Sequence, residues 1–376
     1  MGNSRQSVVP HQGQQTWVHP GVFMDKDQLH FMKHKVSKGE QPWLGAYNVM
    51  MSDPLASLTR KAAPVPMVQC GSYSNPDVGC SDERKDSIAA YAMSLAWYIT
   101  GQKEYAHKAI EYMNAWSAVV KDHNNTNAPL QSAWVGSTWA RAAEIIRHTS
   151  GCWDDAGVQN FEAMLKNVYL PKVIPGAGTW NGNWELVMME AAIMISVFVE
   201  DPTSYDKAMT KFLARVPAYI YMRSDGDFPV PPANTSIFTK ESVIKYWYNQ
   251  TTFVDGLSQE TCRDLEHTGY GVASISHVAE TSRIQGRDLF VEDMGARLRA
   301  TMEFHAQYAL GAPAPSWLCG GKLTGQLKNV TEVGNSELVL RLGKSMPQTK
   351  SYTLKQRPGG ENGLFVLWET LTHGRV

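Results

Sequence analysis

The sequence predicts a mainly α-helical chain, an α/α toroid of antiparallel helical hairpins with a few short strands. Two patterns lead there. Apolar residues recur at helical spacing through the middle of the chain, in stretches joined by connections short enough to force antiparallel neighbours. Strictly alternating patterns, the mark of half-buried strands, are scarce before about residue 320. A fixed-length repeat is missing as well, which favours a closed ring over an open solenoid.

The elements follow in order within one domain spanning 1–376. Residues 1–80, rich in Pro, Gly and polar side chains, read as an extended N-terminal arm with short helices. Ile88, Tyr91, Ala92, Leu95 and Tyr98 then form a helical stripe that ends before Gly101. Tyr105, Ala109, Tyr112, Met113 and Trp116 form a second, completing a hairpin. Further helices are expected at 132–148, 155–168, 184–199, 203–222, 259–285 and 288–310. Segment 223–258 is long and aromatic-rich with little periodicity, as loops that cover a site often are. Residues 311–376 read as loops and a closing helix, with Glu337–Arg341 and Ser351–Lys355 as short strands.

Composition narrows the function classes. The chain has 376 residues, 43% of them hydrophobic, so a large core is available. Its 35 basic and 36 acidic side chains leave a net charge of −1, which argues against nucleic acid as the partner. A neutral protein still accommodates an acidic polymer if its cleft is locally positive. No apolar run is long enough to span a membrane, and the opening MGNSRQSVVPHQGQQ lacks the apolar core of a secretion signal. Secretion is nevertheless expected, from the sequons at Asn124, Asn234, Asn249 and Asn329 and from a disulfide that would close the loop between Cys70 and Cys80. Cys152, Cys262 and Cys319 leave an odd count, and Cys262 reads as a buried structural thiol. No CxxC or HExxH spacing points to a metal, no cofactor is implied, and a monomer is expected.

Two segments carry chemistry. In Gln259–Tyr270, Arg263, His267 and Tyr270 stand at i, i+4 and i+7, which a helix places on one face. Cys262, Leu265 and Glu266 fall opposite. In Trp180–Glu185, two Trp residues alternate with amides at the start of an apolar helix. Asn181 or Asn183 suits a helix cap, while Trp180 and Trp184 suit stacking on a sugar ring. From the long loop, Tyr246, Trp247 and Tyr248 are further candidates for contact with sugar.

Taken together, the stretches 91–117, 131–146 (QSAWVGSTWARAAEII), 181–192 (NGNWELVMMEAA), 255–280 (DGLSQETCRDLEHTGYGVASISHVAE) and 365–374 resemble the alginate lyase superfamily, whose members are α/α toroids. The resemblance implies a polysaccharide lyase. It also implies roles: Asn183 and Arg263 neutralise the substrate carboxylate, and Tyr270 transfers protons. Gln131 and Trp134, in the second stretch, join the expected substrate contacts. Some relatives carry His directly after the Asn as a second base, where this chain has Trp184.

The C5 proton of a uronate is weakly acidic because the neighbouring carboxylate is already negative. Pairing that carboxylate with a cation and an amide stabilises the enolate-like intermediate. One Tyr serving both transfers works from one face, which suits syn elimination in a 1,4-linked polymer of mannuronate or glucuronate. His267 is expected either to act as the base or to orient the site. A glycoside hydrolase would instead need paired carboxylates, for which Glu260, Asp264, Asp225, Asp227 and Asp255 are available. A non-catalytic polysaccharide-binding protein would keep the Trp platforms without needing Arg263 and Tyr270.

Overall fold

The computed structural model describes residues 16–376; the part of the N-terminal arm before residue 16 lies outside the described residues. What reads as an arm carries two helices, α1 (Lys26–Ser37) and α2 (Trp43–Ser52). Both are packed into the body: Leu29, Met32, Trp43 and Met50 are at most 1% exposed. Next come β1 (Met67–Cys70) and β2 (Asp77–Val78), antiparallel to each other.

Four hairpins follow. Helix α3 (Cys80–Thr100) turns at Gly101 into α4 (Lys103–Val119), and β3 (Asp122–Asn124) then pairs parallel with β1. Helix α5 (Ala128–His148) returns through α6 (Asp155–Met164), a π-helical turn (Leu165–Tyr169) and α7 (Leu170–Val173). Helix α8 (Gly182–Phe198) pairs with α9 (Pro202–Tyr219). After a long connection carrying α10 (Lys240–Tyr246), α11 (Leu265–Ile284) pairs with α12 (Asp293–Ala309). The chain ends with α13 (Glu332–Gly334), a π-helical turn (Asn335–Arg341), α14 (Pro347–Gln356) and α15 (Glu369–His373).

The two short strands expected at Glu337–Arg341 and Ser351–Lys355 are therefore helical. Glu337 pairs at helical spacing with Arg341 one turn away, and reaches Arg283 and Arg375 from other parts of the chain.

Helices α3, α5, α8 and α11 pack side by side as an inner ring, with α4, α6, α9 and α12 outside. Sequence sets this division. Every residue of α8 from Glu185 to Phe198 is buried, because an inner helix meets protein all round. Helix α9 buries a single stripe of Tyr205, Ala208, Met209, Phe212 and Val216. The inner helices run parallel. Arg141 of α5 meets Glu190 of α8, and Arg147 meets the carbonyl of Phe198. Farther round, Glu190 meets Ser274 and His277 of α11. All four N-termini thus open at one end of the ring.

The ring is closed by the chain ends. Contacts pass from α11 through α13 and α15 to α1 and α3. The Trp43 indole N–H donates to the carbonyl of Gly374 at 2.9 Å. At the centre, Arg141, Glu190, His277 and Glu369 form a buried polar network: Arg141 to Glu190 at 2.6 Å, His277 to Glu190 at 2.9 Å and to Glu369 at 2.7 Å. Cys70 is joined to Cys80, and Cys262 to Cys319. The second bridge corrects the reading of Cys262 as a buried structural thiol; its partner lies 57 residues away, beyond what local spacing reveals. Cys152 is free and exposed.

Candidate active site

The N-terminal ends of α8 and α11 meet over a wedge. The ring of Tyr219, the last residue of α9, sits between Gly182 and Gly271, where an added Cβ would come within 2.2 Å and 2.3 Å of it. Glycine at both positions lets the helices approach and sets the spacing of the side chains above.

Asp264 caps α11, accepting the backbone N–H of His267 at 2.8 Å. Helix α11 therefore begins at Leu265, and Arg263 stands in the turn ahead of it. That corrects the single helical face expected for Arg263, His267 and Tyr270, although the three remain neighbours. Asp264 also accepts from Nδ1 of His267 at 2.7 Å and lies 3.9 Å from Nε of Arg263. Burial works to raise the Asp264 carboxyl, but the His267 bonds outweigh it and hold it below its ordinary range. The His267 side chain is 28% exposed, with Nε2 turned away from Asp264. Its ring lies edge-on to Tyr270, 5.5 Å between centroids.

Tyr270 donates its hydroxyl to Glu266 at 2.9 Å. Glu266, expected on the opposite face, stands one turn before Tyr270 and so shares its face. Desolvation raises the Tyr270 pKa, and the Glu266 carboxylate raises it further. The phenol thus stays protonated in the free protein. Arg263 on its own favours phenolate, but burial and the Glu266 carboxylate outweigh it.

Glu260 joins the two segments. Its carboxylate accepts both contacts from the Asn183 amide at 2.7 Å, the Asn183 backbone N–H at 3.1 Å and Nη1 of Arg263 at 2.8 Å. Burial raises the Glu260 pKa against the opposing pull of Arg263 and Asn183. Asn183 is 2% exposed, so its amide is engaged by Glu260 rather than offered to a substrate carboxylate. Arg263 keeps part of its guanidinium toward solvent.

The aromatic candidates divide. Trp180, 52% exposed, stacks on Trp184 with centroids 4.5 Å apart. The segment 223–258 lies over them: Tyr246 donates to the Trp180 carbonyl at 2.7 Å, and Tyr248 to the Asn181 side chain at 3.0 Å. Trp247 is buried in a satellite core with Tyr221, Val243, Leu257, Phe304 and Leu318, so it presents no face to sugar. Gln131 is buried too, donating to Glu83 at 2.7 Å and to the Cys80 carbonyl at 3.0 Å while Arg84 donates to it. Trp134, half-buried one turn on, lies under Arg84 at the same end of the ring. A cavity of about 540 Å³ opens beside Leu265, with Lys322, Lys328 and Lys355 in its walls.

The carboxylates proposed for hydrolysis are mostly committed elsewhere. Glu260 and Asp264 are bound as above, Asp225 pairs with Arg297, and Asp255 accepts the backbone N–H of Arg223.

With this geometry in place, comparison with known proteins is decisive at one level. The sequence profile of the family described as alginate lyase matches residues 74–315. The chain belongs to the alginate lyase family. Its fold is that of solved alginate lyases. A histidine-to-alanine variant of alginate lyase A1-III complexed with tetrasaccharide superposes with a TM-score of 0.65 at 14% identity, over 98% of this chain and 99% of that one. Alginate lyase A1-III from Sphingomonas species A1 gives 0.60 at 14% identity, over 98% and 100%. An alginate lyase from Bacteroides ovatus gives 0.56 at 13% identity, over 95% and 99%. No curated protein matches by sequence. Among the described residues, no helix is long and apolar enough to cross a membrane.

Sequence reasoning had no role for Glu266 and saw Glu260 and Asp264 only as hydrolase acids. The i, i+3 spacing of Asp264 to His267 and the i, i+4 spacing of Glu266 to Tyr270 were the available signals.

Proposed function

We propose that this alginate lyase family member is a secreted polysaccharide lyase that cleaves 1,4-linked polyuronate, of mannuronate or glucuronate type, by syn β-elimination. One observation carries the reading: His267 and Tyr270 stand side by side on one face, with the exposed part of Arg263 beside them. In this mechanism Arg263, helped by the positive N-termini of α8 and α11, neutralises the uronate carboxylate. Nε2 of His267 takes the C5 proton while its Nδ1–H is held by Asp264. The C5–H electrons form the C4–C5 double bond, the C4–O4 bond breaks, and Tyr270 gives its proton to O4. The phenol, held protonated beside Glu266, has a proton to give and no phenolate to accept one, which is why His267 rather than Tyr270 is assigned as base. Asn183 and Glu260 hold Arg263 in place. Acid and base on one side suit syn geometry, and Trp184 leaves no base directly after Asn183.

Secretion is supported by the two disulfides, which persist in oxidising compartments, and by exposure of Asn124, Asn234 and Asn249. The Asn329 amide is already bonded to the Gly360 carbonyl at 3.0 Å. The test is incubation with polymannuronate, polyguluronate, glucuronan and hyaluronan, following ultraviolet absorbance of the unsaturated product. Absorbance with polymannuronate or glucuronan is expected. New reducing ends without absorbance would make the protein a hydrolase, and neither signal would leave a binding protein.

A further inference from the structure

At the opposite end of the ring, three side chains face one another with ligand atoms left over. His19 comes from the strap ahead of α1, and Glu144 and His148 stand one turn apart at the C-terminal end of α5. One ligand atom from each lies within 4.8 Å of the others. Glu144 is fully buried, and its Oε1 is fixed by Nδ1 of His19 at 2.6 Å and the backbone N–H of Gly21 at 2.9 Å. Its Oε2, together with Nε2 of His19 and Nε2 of His148, is buried without a hydrogen-bond partner. Three orphaned lone-pair atoms in one place are costly unless something binds them.

We infer that His19, Glu144 and His148 form a site for a divalent cation of the zinc type. Two imidazoles and one carboxylate are a donor set that suits zinc, with a fourth position left for water or a further carboxylate. Glu200 is placed to supply one, 3.4 Å from Nε2 of His19. The location favours positive charge, since the site lies at the C-terminal, electronegative end of α5 and just past that of α8. The nearest competing cation, Arg147, is held by Glu162 at 2.6 Å and by the Phe198 carbonyl. Helix α8 separates this site from the cleft by about 25 Å, at 1.5 Å per residue, so the ion fastens the strap and takes no part in cleavage. The strap crosses to α11 as well: Val18 and Gly21 bond the Gln285 side chain, and Phe23 bonds Thr281.

The test uses the intact chain carrying Cys152→Ser, which removes the exposed thiol as a competing ligand. Titration with zinc against a chromogenic chelator, and with cobalt followed by its visible spectrum, should give one ion per chain with the strong absorption of a tetrahedral site. The thermal midpoint should rise with zinc concentration, as binding to the native state requires. His148→Ala alters a partly exposed residue and is expected to fold. It should lower affinity by at least about 10–100-fold and abolish the midpoint shift. His19→Ala should do the same. Polymer cleavage well below the midpoint should be unchanged by chelation. The inference is overturned if the intact chain takes up no zinc, or if both folded variants bind it as the parent does. In either case the cluster is an ion pair between His19 and Glu144.

Discussion

Helix α11 carries two histidines ten residues apart that do opposite things. His277 gives both ring nitrogens to carboxylates, Glu190 and Glu369, and has no contact with solvent. His267 gives one nitrogen to Asp264 and keeps the other toward the cleft. Both have charged partners, and both lie near aromatic rings. What separates scaffold from site is valence. The central network is saturated at the imidazole, whereas the cleft cluster keeps a free lone pair, a phenol proton and part of a guanidinium for a substrate. Polar residues on an inner helix do not by themselves mark an active site; here the mark is bonding capacity turned toward the cleft.

That contrast can be broken by mutation. The largest effect belongs to the cleft. Tyr270→Phe and His267→Ala are each expected to reduce turnover by about 10²–10⁴-fold or more, with thermal midpoints close to wild type. Retention of over a tenth of wild-type turnover by folded Tyr270→Phe would remove it as proton donor. Near-full activity in His267→Ala would return the base to Tyr270.

His277→Ala should show the reverse pattern. Leaving Glu190 and Glu369 without their shared cation is expected to cost about 3–5 kcal/mol in urea unfolding, while the folded fraction still cleaves polymer. Loss of turnover without loss of stability would mean that the central network belongs to the site.

A smaller effect tests the wedge under both. Gly271→Ala forces a methyl against the Tyr219 ring, and overpacking of this kind costs about 1–3 kcal/mol. Because Tyr219 sets the approach of α8 to α11, turnover should fall with stability; unaffected stability would show that the ring is free to move.

The smallest is a pH effect. Burial pulls the His277 pKa down, but Glu190 and Glu369 outweigh it, so the folded pKa lies above the ordinary value of about 6.5. The stability this contributes is complete below about pH 6.5 and is lost as pH rises through the folded pKa. The advantage of wild type over His277→Gln should therefore shrink as pH rises above about 6.5. A constant difference would mean that His277 is not held as a cation.

The same contrast explains what was legible in the sequence. The ring was, because apolar residues recur at helical spacing and hairpins such as α3–α4 turn within a few residues. Arg263, His267 and Tyr270 were, because they are close in sequence. The role of Asn183 was not, since its partner Glu260 lies 77 residues away and only packing shows that they meet. Trp247 and Gln131 looked like sugar contacts because residue type says nothing of burial. Glu337–Arg341 looked like a strand because a short apolar alternation carries no record of the arginines that fix it as helix. In the cluster of His19 with Glu144 and His148, His19 joins from 125 residues away, and only the i, i+4 pair of Glu144 and His148 is local.

The bridge from Cys262 to Cys319 gives the protein a history as well as a shape. Cys262 adjoins Arg263, and its partner is made 57 residues later. Closing a loop of that length is worth about 4 kcal/mol in chain entropy, against about 3 kcal/mol for the ten-residue loop at Cys70. Neither half-cystine of the longer loop lies in an inner helix, and the turn that presents Arg263, already held by Glu260 and Asn183, gains a covalent anchor once residue 319 has arrived and both thiols have been oxidised. Folding and arming are then separate events, and oxidation is what divides them. Mild reduction should lower turnover while helical circular dichroism persists, so a chain retained in a reducing compartment would be assembled but less active.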